Sequence, residues 1–144
     1  MPHLSSIYAP KPSNTLKMLQ KNKKLATIAA VYGTLAVVLG AFGAHALEPK
    51  LAELGTFAAW KTAVDYQMWH ALVLLIVAFS GLSSRTAKAA QVCFTVGIPL
   101  FSGSLYWLAL GGPRWLGPIT PLGGTTLIIG WLLLIVAICR QKTQ

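Results

Sequence analysis

Charge is what this sequence lacks. Asp, Glu, Lys and Arg make up 10% of its 144 residues, against roughly 25% in an ordinary soluble domain. A soluble domain of this length would scatter charges over every surface segment, so that class is excluded. Cysteine is scarce too. Cys93 and Cys139 both fall inside apolar stretches, where each is expected as a small buried hydrophobe rather than half of a disulfide. Catalytic signatures are also missing. The chain has no GxSxG, no Walker loop, no GxGxxG followed by an acidic partner, no CxxC and no HExxH. The glycine-rich run from Gly112 to Gly124 is filled by prolines and hydrophobics, where a phosphate cradle would need free backbone amides.

What is present is apolar and long. Four stretches carry no charge: 23 residues between Lys24 and Glu48, 19 between Asp65 and Arg85, 25 between Lys88 and Arg114, and 25 between Arg114 and Arg140. At about 1.5 Å of rise per residue, roughly 20 apolar residues cross a hydrocarbon core of about 30 Å. A backbone in lipid must satisfy its own hydrogen bonds, which leaves helices as the spanning element here. The chain is therefore expected to be all-α, a four-transmembrane-helix bundle. Its spans should lie at about 25–46, 66–83, 89–110 and 122–139, forming one membrane domain over 25–140 behind a basic N-terminal segment, 1–24.

The net charge of +9 invites a nucleic-acid partner, but its distribution excludes one. A nucleic-acid surface gathers its basic residues on one exposed face; here they stand at the ends of the apolar stretches. Counting Lys and Arg by connecting segment gives the orientation. One side holds Lys11, Lys17, Lys21, Lys23 and Lys24, then Arg85 and Lys88, then Arg140 and Lys142. The other holds only Lys50, Lys61 and Arg114, together with all three acids, Glu48, Glu53 and Asp65. Both termini are thus expected in the cytoplasm.

Residues 1–12, with three prolines, read as disordered. The run from Ser13 to Lys24 reads either as a short basic helix on anionic lipid head groups or as a solvated tail that only sets orientation. In the first span Ala26, Ala29, Gly33, Ala36, Gly40 and Gly43 recur at steps of three and four. This spacing places them on one stripe, where another backbone can approach closely. The sequence does not say whether the partner is a span of the same chain, a second copy or another membrane protein. Residues 48–65, with Pro49 suited to a first helical turn, read as a short amphipathic interfacial helix reaching the membrane near Tyr66 and Trp69. In the third span Pro99 should free the carbonyl of Thr95 and kink the helix. Gln91, Thr95 and Ser102 form a mildly polar face there, expected as glue between helices. The linker GGPRWLGPITPLGG, 111–124, should be a shaped turn without regular structure.

Several blocks together resemble a known family. They are LGAFGAHAL at 39–47, WKTAVDYQMWHAL at 60–72, LFSGSLYWLAL at 100–110 and LGPITPLGGTTLIIGW at 116–131. In these the chain resembles the YgdD-like family of small bacterial inner-membrane proteins, a domain of unknown function. The resemblance covers roughly residues 25–140. It implies a multi-pass protein of the cell inner membrane with no established activity, and it brings no catalytic residues to carry over.

The ionisable residues are few. His45 closes the first span and His70 opens the second, so both are expected near the outer face with Glu48, Glu53 and Asp65. That zone could support a proton relay or a weak metal or haem site. Two histidines do not close a metal site, and each is expected to bond a loop carbonyl or carboxylate instead. No catalytic, cofactor or metal residue is assigned. Ala44-His45-Ala46 mimics a signal-peptidase site, but the apolar run from Leu25 to Phe42 is longer than the usual leader core of about 7–15 residues, so no cleavage is expected. Two readings follow: a structural or accessory membrane component packing through the stripe, or a small oligomeric channel or transporter whose pathway is formed by the polar face of the third span and the outer acidic groups. The first is favoured because ion pathways usually place a charge deep in a span, and none is evident.

Overall fold

The computed structural model describes residues 22–141. The basic segment before Asn22, with Lys11, Lys17 and Lys21, lies outside them, as does Lys142. Within the described residues the chain is all helix and turn. It contains α1 (Lys23–Ala44), α2 (Glu48–Glu53), α3 (Phe57–Phe79), α4 (Arg85–Ile98), a π-helical turn (Pro99–Gly103), α5 (Ser104–Ala109), a 3-10 turn (Arg114–Leu116) and α6 (Ile119–Cys139). The turn at Pro99 joins α4 to α5 in one continuous rod. Four helices are thus long and apolar enough to cross a membrane: Lys23–Ala44, Phe57–Phe79, Arg85–Ala109 and Arg114–Cys139.

The spans pack as two antiparallel hairpins. Helix α1 lies along α3, α4 lies along α6, and α3 also touches α4, the π turn and α5, which joins the hairpins. One apolar core runs through Ala29, Leu74, Val77, Phe94, Ile98, Leu127 and Leu134; a second, at the end holding α2, contains Leu51, Trp60 and Ala109. Large apolar side chains such as Val37, Ile76 and Ile128 point outward and are 61–68% exposed, the surface a lipid solvent requires.

The small-residue stripe finds its partner within the chain. Ala29, Ala36 and Gly43 are buried, and α3 is the span that α1 packs along. The closest approach is at Gly43, where an added Cβ would run into the Trp60 indole. At Gly40 it would meet Val64 at 3.3 Å, and at Gly33 nothing lies within 4 Å. The stripe is therefore tight at Gly43, next to α2, and open at Gly33.

Two stretches differ from their sequence reading. Residues 48–65 are not one amphipathic helix. Gly55, at φ 65°, breaks the chain after α2, and α3 begins at Phe57, nine residues before the expected start of the second span. Polar residues Lys61, Thr62 and Asp65 look interfacial in sequence, yet α3 absorbs them by back-bonding Thr62 to Ala58 and pairing Lys61 with Asp65 at 2.6 Å. The linker also ends early. Residues 119–124 form the first turns of α6 despite Pro121, because a proline in the first turn lacks only an amide hydrogen that would have no partner there.

Candidate functional site

Polar side chains inside the bundle form a seam from α1 across α3 and α4 to α6. It starts from a backbone defect. Pro99 has no amide hydrogen, so the carbonyl of Thr95 loses its helical partner. The Tyr32 hydroxyl of α1 donates to that carbonyl at 2.9 Å. Gln67 Nε2 of α3 donates in turn to the Tyr32 carbonyl at 2.8 Å. Three spans are thereby tied together beside the π turn. The Thr95 hydroxyl turns back on the Gln91 carbonyl at 2.8 Å, so the expected polar face of the third span is partly closed within its own helix.

His70 continues the seam one turn along α3 and is only 6% exposed. Trp131 Nε1 donates to its Nε2 at 3.2 Å, and Nδ1 lies 2.7 Å from the Tyr66 carbonyl. An indole N–H can only donate, so Nε2 must be the bare nitrogen and Nδ1 must carry the hydrogen. The ring is therefore neutral, with both nitrogens engaged. Aromatic rings enclose it: Tyr66 and Phe94 at 5.8 Å and Trp131 at 6.3 Å between centroids.

This location corrects the sequence reading. His70 does not open a span at the outer face. It lies thirteen residues after Phe57, about 20 Å along α3. Nor do the five ionisable groups gather. His45, Glu48 and Glu53 are exposed, and Asp65 is taken by Lys61. Among the described residues no three His, Cys, Asp or Glu side chains come together as a metal would require.

Nearer the end holding α2, Trp60 Nε1 donates to the Leu39 carbonyl at 3.0 Å while its ring rests 4.7 Å from that of Tyr106. Thr56 donates to the Ala109 carbonyl at 2.7 Å, and Ser104 pairs with Thr120 at 2.8 Å. Two hydroxyls stay unpartnered, Ser102 Oγ and Tyr106 Oη, both buried and one turn apart around the π turn. Sequence reasoning missed Tyr32, Gln67, Ser104, Thr120 and Trp131. For Gln67 and His70 a signal did exist: Trp60, Ala63, Gln67, His70 and Leu74 recur at steps of three and four and mark one buried face of α3.

The chain is similar to known membrane proteins over most of its length. Residues 39–124 match the family described as "Protein of unknown function (DUF423)". The UPF0382 membrane protein YwdK of Bacillus subtilis is 48% identical over 115 residues, 76% of this chain and 91% of the relative. A UPF0382 membrane protein of Haemophilus influenzae is 40% identical over 124 residues, 85% of this chain and 98% of the relative. One of Schizosaccharomyces pombe is 34% identical over 114 residues, 76% and 96%, so such proteins are not confined to bacteria. No solved structure matches. Sequence likeness and the four spans agree, and the chain belongs to the DUF423 family of UPF0382 membrane proteins, a family of unknown function.

Proposed function

We propose that this multi-pass protein is an accessory component of the bacterial inner membrane, with both termini cytoplasmic, acting through helix packing with partner membrane proteins and not as an enzyme. The observation that carries this reading is that the seam from Tyr32 to Trp131 is internally paired, leaving Ser102 Oγ and Tyr106 Oη as the unpartnered buried side-chain atoms among the described residues. His70 has both nitrogens engaged, and Tyr32 and Gln67 are spent on backbone carbonyls. Side chains used in this way hold spans together; they are not free to pass a solute. What remains available to other molecules is the outer face of the bundle and its two ends.

Orientation rests on the asymmetry of Lys and Arg. Single cysteines placed at Lys88 and Arg114, in a background without Cys93 and Cys139, should label from opposite sides, with position 88 cytoplasmic. In-membrane crosslinking should capture a discrete set of membrane partners. Proteoliposomes should show no saturable flux of ions or small solutes. Saturable flux abolished by Ser102→Leu or His70→Ala would reverse the reading in favour of a channel, which nothing in the comparisons supports.

A further inference from the structure

The two ends of the bundle differ in chemistry. Leu25, Leu82, Ala87 and Ala137 belong to one packed core, which brings the start of α1, the α3–α4 turn and the end of α6 to the same end. That end carries Lys23, Lys24, Arg85, Lys88 and Arg140, all exposed, and no acid among the described residues. The opposite end is balanced, with Lys50, Lys61 and Arg114 against Glu48, Glu53 and Asp65. Its Lys61–Asp65 contact is the one ion pair among the described residues.

Aromatic anchors show the same asymmetry. Membrane spans usually place Trp and Tyr at both water interfaces. Trp107 and Trp115, 61% and 68% exposed, stand at the balanced end. At the basic end the terminal eight residues of each span contain no Trp or Tyr, and Phe79 is their single aromatic. Cations, not amphipathic rings, are left to fix the depth of that end.

We infer that the basic end is a binding surface for anionic phospholipid, with Arg85, Lys88 and Arg140 taking the headgroup phosphate beside Lys23 and Lys24. Arginine offers a planar fork that fits phosphate oxygens, and lysine adds a point charge. A lipid fits better than free phosphate because the same ends of the spans also expose apolar surface: Phe79, Val92 and Ile138, each within seven residues of a cation in the chain, are 55–61% exposed. The surface goes beyond the N-terminal lysines and depends only on the bundle lying in lipid, not on the accessory role.

The test uses the full chain in a nonionic maltoside detergent, where insertion orientation plays no part. Phosphatidylglycerol should raise the thermal midpoint of the helical circular-dichroism signal, and phosphatidylcholine or inorganic phosphate should not. The variant Arg85→Gln/Lys88→Gln/Arg140→Gln should weaken the phosphatidylglycerol response by roughly tenfold or more, while Arg114→Gln keeps it. Raising salt from about 0.05 M to about 0.5 M should suppress the response of the unaltered chain, because exposed charges are screened. Equal stabilisation by phosphatidylcholine or by phosphate overturns the inference. So does a full response in the triple variant or, should that variant not fold, a response of the unaltered chain that salt leaves unchanged.

Discussion

The Tyr32 hydroxyl donates to the Thr95 carbonyl at 2.9 Å and replaces the amide hydrogen that Pro99 lacks. A carbonyl left without its helical donor in one span is thereby satisfied by a side chain from another. Tyr32→Phe should lower stability by about 0.5–1.5 kcal/mol, the usual range for a hydrogen bond between membrane helices. In a Pro99→Ala background the alanine amide supplies the missing donor, so Tyr32→Phe should cost less there. Unfolding by sodium dodecyl sulfate titration in mixed micelles measures both. Equal costs in the two backgrounds would mean that the hydroxyl does not stand in for the amide.

Glycines that look alike in sequence should respond differently. A Cβ at Gly33 meets nothing, so Gly33→Ala should be neutral or stabilise by up to about 1 kcal/mol through helix propensity. A Cβ at Gly43 collides with the Trp60 ring, which also bonds Leu39, so Gly43→Ala should destabilise by about 1–3 kcal/mol. Gly123 faces the backbone of Leu100 and Phe101, which cannot swing aside like a side chain. Gly123→Ala should be the most damaging of the three and push α6 away from the π turn. Thermal midpoints in one detergent should therefore fall in the order Gly33→Ala, Gly43→Ala, Gly123→Ala.

The sequence announced the spans because their signal is compositional: a charge-free run long enough to cross lipid has few other readings. The backbone break at Pro99, which the chain takes up as a π turn, and the stripe on α1 were legible for similar reasons, since one follows from a missing hydrogen and the other from helical periodicity. The start of α3 was not legible. Lys61 and Asp65 carry charge and end the apolar run in sequence, yet they pair with each other four residues apart within α3. The seam was hidden more deeply. Tyr32 and Thr95 are 63 residues apart and His70 and Trp131 are 61, so nothing local marks either pair. His70 looked interfacial because an isolated histidine is normally satisfied near water, whereas here a tryptophan from α6 satisfies it within the bundle.

Helix α2 has six residues and would not hold alone. Leu51, fully buried, fastens it among Leu39, Leu47, Trp60 and Tyr106. Leu51→Ala should cost about 2–4 kcal/mol and release α2 from the bundle. Leu54→Ala, at a position 43% exposed, should cost much less. Hydrogen exchange at the α2 amides reads this release directly, and unchanged protection in Leu51→Ala would show that other contacts hold the segment.

The Trp131–His70 bond fixes a tautomer, and that gives it a test separate from stability. With Nε2 accepting from the indole and Nδ1 donating to the Tyr66 carbonyl, the ring nitrogen shifts of His70 should report the Nδ1–H form. Trp131→Phe keeps an aromatic ring against Phe94 but removes the donor, leaving Nε2 buried and unpaired at a cost of about 1–2 kcal/mol. His70→Ala should cost more, about 2–4 kcal/mol, because it also empties the space between Tyr66 and Phe94. The double variant separates the bond from the packing. If the indole bond matters, Trp131→Phe should cost little once His70 is gone, because no unpaired nitrogen remains to be penalised. A full cost for Trp131→Phe in that background would show that the indole serves α6 by packing alone, and nitrogen shifts reporting Nε2–H would place the hydrogen on the wrong side of the ring.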